Sequence, residues 1–293
     1  MENKISLTKL NKDTTKALKG VAILLILFGH INLVKWGGFW GVAIFLVLSG
    51  YGINESYRKN GLENYWRKRL STVYLPYLII TVIDILIFRV TDIKRIIVPL
   101  LGLDYNFFID GTMWYISFIM LWYLGFYLSA VISKKIKIKS KIILPIFCFC
   151  FTAVCYAVNK SGAWCIGADE VECYLLLFPA GVLLSSLTEM DIRKKYALPL
   201  YIAGLALTGL IVVFVYSAKL NTSNIFTLSC AGAVVFLAKI GECANLQLNS
   251  KVLSWLGDYS FAIYLVEGLI LYIFRREVLG IIEFTPVYDL PLL

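Results

Sequence analysis

The sequence predicts an all-α polytopic transmembrane bundle of about ten spans, and three observations carry that prediction. Of its 293 residues, 59% are hydrophobic and 16% charged. The mean hydropathy is +0.77, far from the balance of a soluble core. The apolar residues fall in runs close to the roughly 20 residues that a helix needs to cross a bilayer, and Lys and Arg concentrate in alternate loops.

Nine full-length runs follow in order: Ala17 to Val34, Gly38 to Ile53, Val73 to Phe88, Thr112 to Ser133, Ile142 to Val158, Cys173 to Leu187, Ala197 to Tyr216, Ser223 to Ile240 and Leu253 to Phe274. The first follows a basic N-terminal stretch, as a secretory signal does. No small-residue cleavage site comes before the second run, so it reads as a retained helix. A tenth run begins near Val278, where Pro286 and Pro291 interrupt it. The last span is therefore expected to be short and broken, or the chain truncated. No appended soluble domain is expected, and residues 1–293 read as a single membrane domain.

A net charge of +9 would suggest nucleic acid in a soluble protein. Here the loop distribution explains it: with the N-terminus inside, cytoplasmic segments hold twenty Lys and Arg and outer segments eight. The expected location is the cell membrane, multi-pass and N-terminus cytoplasmic, with lipid around the bundle and no nucleic-acid partner. No zinc-ligand spacing is present, so no metal is expected. The sequence sets no oligomeric state.

The only histidine, His30, lies inside the first apolar run, where an ionisable group is costly and marks a functional candidate. Lys19 stands eleven residues earlier, about three helical turns or roughly 16 Å, on nearly the same face. Asp84 and Glu267 are the acids placed well inside spans, and either can orient His30 by accepting its second ring proton. The bland reading of each is a helix-to-helix hydrogen bond.

Three segments depart from generic membrane helix: Lys19 through His30, with Gly20 and Gly29; Gly41-Val-Ala-Ile-Phe-Leu-Val-Leu-Ser-Gly-Tyr51; and the basic Trp66-Arg-Lys-Arg-Leu-Ser-Thr-Val-Tyr-Leu-Pro-Tyr77. In this order, followed by Gly111-Thr-Met-Trp-Tyr-Ile-Ser117 and Leu256-Gly-Asp-Tyr-Ser-Phe-Ala-Ile-Tyr-Leu-Val266, the chain resembles the acyltransferase 3 family of integral membrane acyltransferases. The resemblance runs from Lys19 to Val266.

What the resemblance implies is transfer of an acyl group, commonly acetyl from cytoplasmic acetyl-CoA, to a hydroxyl of an extracytoplasmic polysaccharide or other glycan. His30 takes the place of the family's catalytic histidine and Lys19 that of its paired basic residue. Histidine suits removal of a hydroxyl proton at neutral pH and can also act as nucleophile. Arg67 and Arg69 are candidates for CoA phosphates. The chain departs from the pattern at Ala43, where relatives often carry an acid, at Thr72 and Val73, where a further arginine is expected, and at Glu267, where many place a histidine. The alternatives are a multi-pass transporter or a catalytically inactive scaffold in glycan assembly.

Overall fold

The computed structural model describes residues 4–103, 109–136, 140–161, 173–220, 223–244 and 251–277. Among them a helix occupies each of the nine predicted runs. These are α1 (Lys12–His30), α2 (Gly37–Asn60), α3 (Tyr65–Arg69) continuing through a π turn (Leu70–Tyr74) into α4 (Leu75–Ile87), α6 (Trp114–Ile136), α7 (Ser140–Lys160), α8 (Leu177–Ser186), α9 (Lys194–Ser217), α10 (Asn224–Cys243) and α11 (Lys251–Glu277); α5 (Ile93–Leu100) is a short addition. The chain is an all-α helical membrane bundle. Six of the described helices are long and apolar enough to cross a membrane by length and composition. α1 is not one of them, because Lys12, Asp13, Lys16 and Lys19 crowd its first half. The run beginning near Val278 lies outside the described residues.

Helix boundaries follow local chemistry rather than the apolar runs. α1 begins five residues before Ala17 because the Asn11 side chain accepts from the Thr14 amide at 2.6 Å, capping an orphan donor. It ends at His30, and the turn to α2 places Asn32 and Trp36 at positive φ. Pro76 lacks the N–H that an α-helix would use and crowds the preceding turn, which accounts for the π turn just before it. Within that turn, Thr72 donates its hydroxyl to the Lys68 carbonyl. α5 lies back against α4: the Tyr74 and Tyr77 hydroxyls each reach one of its carbonyls, those of Leu100 and Pro99, at 2.7 Å.

Small residues hold the central helices at backbone contact. A Cβ at Gly20 would strike the Leu253 backbone, and one at Gly257 the backbone of Lys16, so α1 and α11 touch through glycine from both sides. Gly50 against Phe178 and Gly181 against Val47 do the same for α2 and α8. Around this centre the aromatic core is built on Trp122 and Phe178, stacked 5.3 Å apart. Apolar residues such as Leu210 and Phe214 point outward from α9, as expected of a lipid-facing surface.

The segments that the charge count assigns to one side meet at one end of the bundle. Strands β1 (Lys4–Ser6) and β2 (Asp191–Arg193) pair antiparallel there. Arg58 bonds Glu189 at 2.7 Å, Lys16 bonds Asp258 at 2.9 Å, and Lys239 reaches the Lys9 carbonyl and Glu242 at 2.8 and 2.9 Å. His30, Glu267 and Asp110 lie toward the opposite end. The alternation of spans is thus consistent with the charge count.

Candidate active site

The face of α1 carrying Ile23, Ile26 and His30 turns inward, and Lys19, exposed, borders a cavity at the near end of that face. At its far end His30 donates through Nδ1 to Glu267 Oε1. Glu267 is only 3% exposed, and its second oxygen has no partner among the described residues. A carboxylate at Nδ1 keeps the proton there, so the neutral ring offers Nε2 as its acceptor. His30 borders an outer cavity of about 200 Å³, shared with Asn32, Trp36, Phe39, Trp114 and Tyr174. Tyr174 stacks between Phe39 and Trp114, with ring centres 6.0 and 5.4 Å away.

Of the two predicted orienting carboxylates, Glu267 is therefore the one that reaches His30. Asp84 is fully buried on α4, both of its oxygens lack a hydrogen-bond partner among the described residues, and it lies within electrostatic range of Asp110 rather than bonding the imidazole.

Asp110 is not among the sequence candidates, because it lies just before an apolar run instead of inside one. Its Oδ1 accepts from the Thr112 amide and hydroxyl, both at 2.8 Å, while Oδ2 is buried and has no partner among the described residues. It lies within electrostatic reach of both Glu267 and His30. The Tyr264 hydroxyl donates to the Thr112 carbonyl and ties this turn to α11. Gly268, the residue after Glu267, lets Asp110 approach: a Cβ there would run into the carboxylate. Gly268→Ala is thus expected to destabilise the protein by about 1–3 kcal/mol through overpacking. Thermal unfolding in detergent checks this, with a smaller loss expected on an Asp110→Ala background.

At the near end, Lys19 borders an inner cavity of about 240 Å³ with Ile26, Val42, Ser49, Thr72, Tyr115, Tyr123 and Tyr264. Its ammonium lies within electrostatic reach of Arg69, Asp258 and Lys16. The Arg69 guanidinium sits over the rings of Tyr65 and Tyr123 at 5.7 and 5.2 Å, and its Nε is buried without a partner among the described residues. Arg67 is exposed on the other side of α3. The structure therefore brings Lys19 and Arg69 together and leaves Arg67 apart.

The arrangement supplies an imidazole with a fixed tautomer in one cavity, and two cations beside a second cavity about three turns away along one helix. No cluster of His, Cys, Asp or Glu suited to a metal occurs among the described residues. The chemistry accessible to such a site is proton transfer or nucleophilic attack by His30. No curated protein matches the chain, and no solved structure does. The family model described as the acyltransferase domain matches residues 16–291, nearly the whole chain and all the residues of this site. A multi-pass helical membrane protein with this match belongs to the acyltransferase 3 family, and is an acyltransferase.

Proposed function

We propose that the protein transfers an acetyl group from cytoplasmic acetyl-CoA to a hydroxyl of an extracytoplasmic glycan, with the N-terminus inside and His30 as general base. The observation that carries this reading is the His30–Glu267 pair, which leaves Nε2 to an incoming hydroxyl, on the same helix face as Lys19. Nε2 takes the hydroxyl proton as the oxygen attacks the thioester carbonyl. The carbon–sulfur bond breaks, and the proton passes from His30 to the departing thiolate. Glu267 stabilises the imidazolium in between.

The sidedness is supported by the charge count, with twenty Lys and Arg in the segments assigned to the cytoplasm against eight in the others. It puts Lys19 and Arg69 where CoA phosphates arrive and His30 toward the acceptor. Arg69, with its unpaired Nε, is the better placed arginine for a phosphate. A glycan acceptor is supported by the aromatic walls of the outer cavity and by Trp36 Nε1, a buried indole donor with no partner among the described residues.

The direct test is transfer of labelled acetyl from acetyl-CoA to surface glycan by membranes with and without this protein; equal labelling in both would count against the reading. Lys19→Ala removes a charged contact of about 1.5–3 kcal/mol, so the KM for acetyl-CoA is expected to rise by roughly 10-fold or more, with kcat changed much less. An unchanged KM would remove Lys19 from the donor site.

A further inference from the structure

The two cavities meet at one side chain. Val42 borders the inner cavity with Lys19 and Ile26, and the outer cavity with His30. It is 8% exposed, and Ile26, which also lines the inner cavity, is 2% exposed. Ile26 stands one turn below His30 on the same face of α1, about 6 Å along the axis. Whatever reaches His30 from the side of Lys19 must therefore pass Ile26 and Val42.

This passage has little freedom to widen. Gly41, beside Val42, brings the α2 backbone against Ala22 and Ile26 of α1, so parting the helices there would forfeit that close contact. Valine in a helix strongly prefers one rotamer, so its two methyl groups present a stiff rim. An acyl group enters ahead of its thioester. Its carbons must clear this rim before the carbonyl can stand beside His30.

We propose that Val42 is a specificity-determining residue that selects acyl donors by width, so that the substrate class is straight-chain acyl-CoA and acyl groups branched next to the carbonyl are turned away. The proposal rests on the acyl-CoA reading of the site and adds to it the shape of the acyl group. A straight chain follows the same track as the mercaptoethylamine end of the donor, whereas a branch adds a methyl to the cross-section at the rim. One methyl group in a tight apolar site commonly changes kcat/KM by roughly 10–200-fold.

Butanoyl-CoA and 2-methylpropanoyl-CoA separate width from size, because their acyl groups are isomers. In the parent protein, kcat/KM for the branched donor is expected to be lower by roughly 10–200-fold. Val42→Ala should bring the ratio close to one while transfer from butanoyl-CoA persists. Ile26→Val, a milder change on the opposite side of the passage, should move the ratio in the same direction. A parent ratio near one overturns the proposal, and so does a ratio that neither variant moves. If the parent transfers nothing from acetyl-CoA or from butanoyl-CoA, the donor reading itself fails, and the width filter with it.

Discussion

His30→Ala is expected to lower acyl transfer by a factor of 10²–10⁴, the usual contribution of a positioned general base, while the protein still inserts and keeps its helical content. The side chain lines a cavity wall instead of filling the aromatic core around Trp122 and Phe178, so its removal leaves the main packing in place. Glu267→Gln tests the same unit from its other side. The amide is nearly isosteric, yet it no longer holds the proton on Nδ1 by charge or stabilises the imidazolium. Because the two residues act together, His30→Ala/Glu267→Gln should be little worse than His30→Ala alone. Losses that multiply would mean that Glu267 acts independently of His30. Retained transfer in His30→Ala, measured at matched expression, would remove the histidine from the chemistry.

The nine helix-bearing runs were legible because each is a stretch of apolar residues approaching the length that a membrane requires, and six of the described helices reach it. His30 was legible because an imidazole inside such a run is rare. Other features were not, for identifiable reasons. The strands Lys4–Ser6 and Asp191–Arg193 are three residues each, too short for the single isoleucine in each to make a detectable alternation. Glu267 stands 237 residues from His30, and nothing local distinguishes it from Asp84 as a partner. Their separation depends on how α11 packs against α1. Asp110 sits just outside an apolar run and reads as a loop acid; only the close approach at Gly268 takes it into the site. The division between Arg67 and Arg69 was in principle readable. Residues two apart on a helix point about 200° away from each other, so only one of the pair can face the cavity.

Gly257→Val should produce the largest structural loss in the molecule, and its effect on activity should exceed its effect on folding. α1 and α11 are in backbone contact at Gly20 with Leu253 and at Gly257 with Lys16. Because a Cβ tilts toward the helix N-terminus, each glycine faces the preceding turn of its neighbour, as parallel helices in close contact require. His30 and Glu267 each stand ten residues further along these two helices, about 15 Å from the contact. Their hydrogen bond depends on the helix separation set there. A valine at 257 drives a branched side chain into the Lys16 carbonyl, which is backbone and cannot rotate away. The helices must part, at a cost of about 1–3 kcal/mol or more, and the separation carries Glu267 away from the imidazole. Gly209→Val is the matched control: it lies within α9, where an added Cβ meets nothing within 4 Å, and only its helix propensity changes. Thermal unfolding in detergent and acyl transfer should both fall for Gly257→Val and stay near the parent for Gly209→Val. Equal behaviour of the two variants would show that the glycine contact sets neither the helix spacing nor the pairing of His30 with Glu267.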